Sequence, residues 1–147
     1  MDHNKQIVAD FYQQIFIKGN LSVLTNYMHD NYIQHNPNVE NGRQGFFNFM
    51  QKFLQFKPQI DILNITCEND IVYVFFKCTL ANGHINKVCD IYRLHQGKLA
   101  EHWDVIEHNV ENIKSINGNS IFIHMPLMTV IIKYDIELVF FLSISLT

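Results

Sequence analysis

The chain has 147 residues, enough for one domain with a real core. Apolar residues make up 48% and charged residues 17%, with a formal net charge of −3 and no Lys/Arg cluster, which excludes a disordered chain and argues against a nucleic-acid partner. Twelve Phe and six Tyr suit either a bulky core or an apolar pocket.

The N-terminal stretch "MDHNKQIVADF" is polar and then amphipathic, unlike a signal peptide. Ile7, Val8, Phe11, Tyr12, Ile15 and Phe16 recur at helical spacing and predict a helix over residues 2–17, capped by Asp2 and ended by "KGN". "LSVLTNYM" reads as a short second helix. "HDNYIQHNPN" is turn-rich, with a brief extended piece around Tyr32 to His35, and Pro37 biases Asn36 away from helix. "GRQGFFNFMQKFLQF" sets Phe46, Phe47, Met50, Phe53 and Leu54 on one helical face, and Pro58 stops it.

From Pro58 onward the period changes to two. "QIDILNITC", "IVYVFFKCTLA", "HINKVCDIYRL" and "KLAEHWDVIEH" read as four strands, joined by "END", a turn holding "NG", and "HQG". Helices first and an antiparallel meander after predict an α+β fold, with helices packed on one face of a curved sheet. Cys67, Cys78 and Cys89 are spaced eleven apart, without zinc-ligand spacing or CxxC, and are expected as reduced thiols in a cytoplasmic protein.

The last turn sets a register. Read as a three-residue loop with Gly97 left-handed, His95-Gln96-Gly97 pairs Leu94 with Lys98, Tyr92 with Ala100, Asp90 with His102 and Val88 with Asp104. A two-residue loop would put Asp90 opposite Trp103, on the other face from His102. In the first register Asp90, His102 and Asp104 share a face with Val88, Tyr92, Leu94, Ala100 and Ile106. Such polar groups on an apolar face are costly unless paired or solvated. A low-dielectric pocket favours a carboxylate that holds its proton, as proton removal beside a carbonyl requires, and the imidazole would position that base or donate to a developing enolate. The plainer readings are a solvent-exposed face or a structural Asp90–His102 pair. His35, in "YIQHNP", is a second candidate because loops on a rigid scaffold often carry binding groups. Tyr12, Tyr32 and Tyr92 are candidate hydroxyl donors to a ligand, or partly buried aromatics. Asp90, His102 and Asp104 with His35 make a conceivable metal set, but no short ligand motif supports one; no metal or cofactor is expected.

The run "CDIYRLHQGKLAEHWDVIEH" resembles the C-terminal signature of SnoaL-like proteins, the polyketide-cyclase branch of the nuclear transport factor 2-like superfamily. "YIQHNPNVENGRQGFFNFM" resembles that family's segment between its second and third helices, and the likeness spans roughly residues 3 to 110. It implies a cone-shaped barrel: a strongly bent antiparallel sheet wrapped around helices, with a pocket inside. Cyclases of the family catalyse an intramolecular aldol condensation without cofactor, through an acidic residue. By motif position that residue is Asp104, with Asp90 and His102 beside it. His35 falls at the pocket mouth or wall, and Trp103 packs behind the strand or, in a distorted sheet, lines the pocket. The resemblance also implies a homodimer paired through outer sheet faces. Related cones isomerise ketosteroids, dehydrate small molecules, or only bind a ligand or partner.

Residues 1–118 thus read as one domain. Residues 119–147 do not resemble the family's end. Every even position from Met128 to Leu146 is apolar, a strand pattern too long for one straight strand, and Lys133, Asp135 and Glu137 argue against a membrane span. Two added strands, a dimer cover and a reading-frame artefact all stay open. Two functions follow: an acid/base enzyme acting on a small carbonyl or polyketide-like compound, or a module that only holds an apolar ligand or a partner.

Overall fold

The computed structural model describes residues 3–123. The first helix, α1 (His3–Phe11), runs directly into a π-helical stretch, Tyr12–Ile17. Its wider turns show in the Lys18 amide, which reaches back to Gln13 O at 3.1 Å. Val8, Phe11, Tyr12, Ile15 and Phe16 are all buried, the face foreseen from their spacing. The second helix is shorter than expected. After a 3₁₀ turn, α2 (Leu24–Tyr27) gives way at Met28 to β1 (Met28–Gln34). The third, α3 (Gly42–Phe53), buries Phe46 and Met50. It also holds Gly45 so close to the Glu40 carbonyl that an added Cβ would sit 2.3 Å from its oxygen. A 3₁₀ turn and left-handed Lys57 end it just before Pro58.

The four foreseen strands are β2 (Gln59–Glu68), β3 (Ile71–Thr79), β4 (Ile85–His95) and β5 (Lys98–Glu107). They form the antiparallel meander, but the sheet is mixed rather than purely antiparallel. β1 adds to the free side of β5 in parallel, giving the order β1-β5-β4-β3-β2. The sheet curls without closing into a barrel. Bulges drive the curl, since each extra residue bends its strand and raises local twist. One lies at Leu63, where Ile62 and Asn64 oppose the consecutive Phe76 and Phe75. The helices cover the concave face, where Val72, Val74, Phe76, Val88, Tyr92, Leu94 and Leu99 meet Phe11 and its ring neighbours Tyr12, Phe16 and Phe46.

The expected register of the last hairpin is corrected. His95 pairs with Lys98, so the loop is the two residues Gln96 and Gly97, at φ +48° and +74°. Positive φ at both positions is the two-residue hairpin turn whose twist matches that of the strands. Leu94 pairs with Leu99, Arg93 with Glu101, and Ala100 is left as a bulge between them. The bulge shifts the alternation by one. Leu99, fully buried, therefore lies on the same side as His102. Asp90 and His102 share a face as expected, but Tyr92 opposes His102 and Asp90 opposes Asp104.

Residues 115–123 belong to a separate unit. They contribute turns in which the side chains of Asn117 and Ser120 accept the amides of Asn119 and Phe122. The Asp2 cap and the alternating stretch 128–146 lie outside the described residues. Among the described residues no helix is long and apolar enough to cross a membrane.

Candidate functional site

A cavity of about 100 Å³ lies between the helices and the concave face of β4 and β5. One water needs only about 10–15 Å³ by the same measure, so the space suits a small organic molecule. Phe16, Phe46, Phe49, Phe53 and Phe76 make an aromatic wall. A polar wall is supplied by Gln34, Asn36, Asn86, Asp90, Tyr92, His102 and Asp104.

Each polar group is held by a neighbour. Asp90 is 6% exposed, and its Oδ2 accepts a short hydrogen bond from the Tyr12 hydroxyl and one of 3.1 Å from the Tyr92 hydroxyl. Burial, and then the charge of Asp90, push both phenols well above their ordinary range, so they stay neutral donors. The His102 ring leans on Tyr92, with centroids 4.7 Å apart. Its Nε2 lies 3.5 Å from Asp90 Oδ1 and its Nδ1 2.8 Å from Gln34 Oε1. Asp104 accepts a hydrogen bond from Asn36 Nδ2.

The parallel β1–β5 pairing brings Gln34 and Asn36 into place. Gln34 stands beside His102 in register, and the His35 amide donates to His102 O at 3.0 Å. Side chains alternate along this extended run, so 34 and 36 turn inward and 35 outward. Sequence reasoning passed over both amides and chose His35. The signal that finds them is the same alternation, with Tyr32 buried and Ile33 48% exposed.

The placement expected for His35 at the pocket mouth or wall is corrected: it lies on the outer face of the sheet, away from this cavity, beside Trp103, which packs behind the strand, the first of the two placements expected for it. Their rings stack at 4.7 Å, and His35 Nε2 meets Glu101 Oε1 at 2.8 Å. Arg93 bridges Glu101 and Asp70 there and lies 5.8 Å from the Trp103 ring. Tyr12 sits behind the polar wall rather than in it. Tyr32 is buried and its hydroxyl has no hydrogen-bond partner among the described residues. Cys78 also lines the cavity, its thiol pushed up to about 11 by burial and then by Asp90. Cys78 and Cys89 are free thiols.

Chemically, the wall combines an anchored carboxylate, an imidazole, a second carboxylate and amide donors facing an apolar space. Such a set can exchange a proton with a bound ligand. Asp90, His102 and Asp104 also each present one atom within 4.8 Å of the others, a spacing at which a small cation could be held.

Helices covering the concave face of a curled mixed sheet, with a polar-walled cavity between them, define an α+β fold built around an internal cavity. Residues 8–102 match the SnoaL-like domain, and the chain belongs to that family. No curated protein sequence matches it. Among solved structures it is similar to TsrD from Streptomyces laurentii, at 20% identity and TM-score 0.62, over 73% of this chain and 91% of that one. A SnoaL-like polyketide cyclase from Agrobacterium tumefaciens matches at 16% identity and TM-score 0.60, over 73% and 93%. An NTF2-like protein from Cytophaga hutchinsonii matches at 16% identity and TM-score 0.61, over 71% and 89%. At such identities the likeness establishes the fold.

Proposed function

We propose that this protein is an acid/base enzyme of the aldol-condensation (cyclase) or isomerase type, acting on a small carbonyl or polyketide-like compound held in the cavity. The observation that carries the reading is the polar wall itself. Asp90, His102 and Asp104 come from two adjacent strands to one cavity whose remaining lining is largely apolar, with Gln34, Asn36 and Asn86 as further polar groups. In a water-poor cavity, groups that stabilise an enolate or move a proton act more strongly than in bulk solvent. Asp104 is proposed as the acid/base group, with Asp90 and His102 setting its surroundings and the aromatic wall holding the carbon skeleton.

Asp104→Asn keeps the shape and the contact with Asn36 within reach. It is expected to leave the fold intact by circular dichroism and to abolish turnover of a carbonyl substrate found by screening. Full turnover by the variant would sink the reading.

One observation favours a second reading, a binding module without chemistry. Asp90 and Asp104 are both already engaged by side-chain donors, as in a site that only orients its ligand. That reading predicts tight binding with the ligand recovered unchanged. The proposal extends to a cytoplasmic homodimer paired through the outer sheet face, where Ile33, Tyr73 and Val105 are exposed. Light scattering coupled to size exclusion is expected to give twice the chain mass, and a monomer mass at micromolar concentration removes the dimer.

A further inference from the structure

The contacts of Gln34 decide a proton position that heavy atoms alone leave open. Its Oε1 receives the backbone amide of Asn36 at 2.9 Å. A backbone N–H only donates, so the atom it meets is the oxygen, and the side-chain amide cannot be turned the other way. The same oxygen lies 2.8 Å from His102 Nδ1. An amide oxygen only accepts, so Nδ1 carries a hydrogen. The next link is fixed in the same manner. Asn36 Oδ1 accepts the Asn38 amide at 2.9 Å, which leaves Asn36 Nδ2 to donate to Asp104.

With the hydrogen on Nδ1, neutral His102 has a bare lone pair on Nε2. That atom is buried, receives no hydrogen bond among the described residues, and faces Asp90 Oδ1 at 3.5 Å, acceptor against acceptor. Asp90 and Asp104 lie beside the ring, the Tyr92 ring leans on it at 4.7 Å, and the Tyr32 ring lies nearly parallel to it at 6.5 Å. Asp90 is pinned by two hydroxyl donors and is fixed in place as the counter-charge for a proton arriving at Nε2.

We propose that Gln34, locked by the Asn36 amide, holds His102 in the Nδ1–H tautomer, and that Nε2 is the atom through which the cavity takes a proton from a ligand bearing an acidic enol or phenol hydroxyl. The ligand O–H bond breaks, the oxygen keeps the electron pair, and the new imidazolium pairs with Asp90. Gln34 is a positioning residue in this scheme, acting through His102. The inference rests on the preceding reading only in that the cavity takes a small ligand.

The test uses the full chain labelled with ¹⁵N-histidine, with His102 resonances identified by their loss in His102→Asn. Long-range ¹H–¹⁵N correlation spectra distinguish a bare ring nitrogen from a protonated one. Neutral His102 is expected as Nδ1–H, and in Gln34→Leu it is expected to switch to Nε2–H, donating to Asp90. An Nε2–H tautomer in the wild type, or no change in Gln34→Leu, overturns the proposal. The second arm adds 4-nitrophenol, whose absorbance reports ionisation. The bound probe is expected as the phenolate at a pH where the free probe is largely neutral, with that ionisation lost in Gln34→Leu and kept in Gln34→Glu. A probe that fails to bind, or binds in its neutral form, overturns the assignment of Nε2 as acceptor. The Nδ1–H tautomer and phenolate binding, with no carbonyl compound turned over, would remove the enzyme reading and leave this one standing. Turnover with an Nε2–H tautomer would do the reverse.

Discussion

Tyr12 and Asp90 are 78 positions apart, yet the phenol donates a hydrogen bond to the most buried carboxylate of the site. Hydrogen bonds to charged groups are worth about 1.5–3 kcal/mol, and more is lost when the survivor is left buried. Tyr12→Phe is expected to cost about that much in urea unfolding. Tyr92→Phe removes the second hydroxyl donor to the same oxygen and is expected to cost a similar amount. At this scale the sequence was legible where side chains alternate. Asp90, His102 and Asp104 do share a face, and Tyr92 joins them in the wall. Gln34 and Asn36 were not legible by chemistry, because an amide does not titrate and draws less attention than the histidine between them. His35 illustrates the opposite error: its neighbours' alternation turns it to the outer face, against Trp103 and Glu101.

The last hairpin shows what local pattern reveals of an element and what it hides. The glycine signal was read correctly as a left-handed turn residue, but Gln96 also adopts positive φ, and that makes the loop one residue shorter. The Ala100 bulge then restores the parity, so the shared face survived although the cross-strand partners did not. A left-handed residue other than Gly or Asn carries a strain of about 1–2 kcal/mol. Gln96→Asn is therefore expected to stabilise the protein by about 0.5–1 kcal/mol, part of that strain, as a rise in the urea midpoint with unchanged slope. β1 was foreseen only as a brief extended piece. Its burial does not alternate cleanly and its register with β5 shifts between Met28 and Ile33, so the strand takes its definition from a partner far along the chain.

For the molecule as a whole, the buried phenols link stability to alkaline pH. Burial, and then Asp90, raise Tyr12, Tyr32 and Tyr92 well above the ordinary 10.0. In the unfolded chain they ionise near that ordinary value, and in the folded chain they stay neutral. Below about pH 10 their contribution to stability is fully present. Above it the unfolded state holds fewer protons, so stability falls as pH rises. The urea midpoint is expected to drop steeply above about pH 10, and the tyrosinate absorbance of these three residues should appear together with loss of the fold. A smooth early titration of every tyrosine in the folded protein would contradict this. The strand order carries one more consequence. Among the described residues β5 is the last of five strands, yet it lies inside the sheet, between β1 and β4. A chain leaving the ribosome therefore carries its helices, β1 and three antiparallel strands before the strand that joins them exists. Until β5 emerges, β1 has no strand to pair with and the apolar faces of the helices have only part of their floor. The strands that flank the pocket, β1 and β4, are consequently joined only when β5 pairs with both, and the sheet depends on that one strand to become continuous.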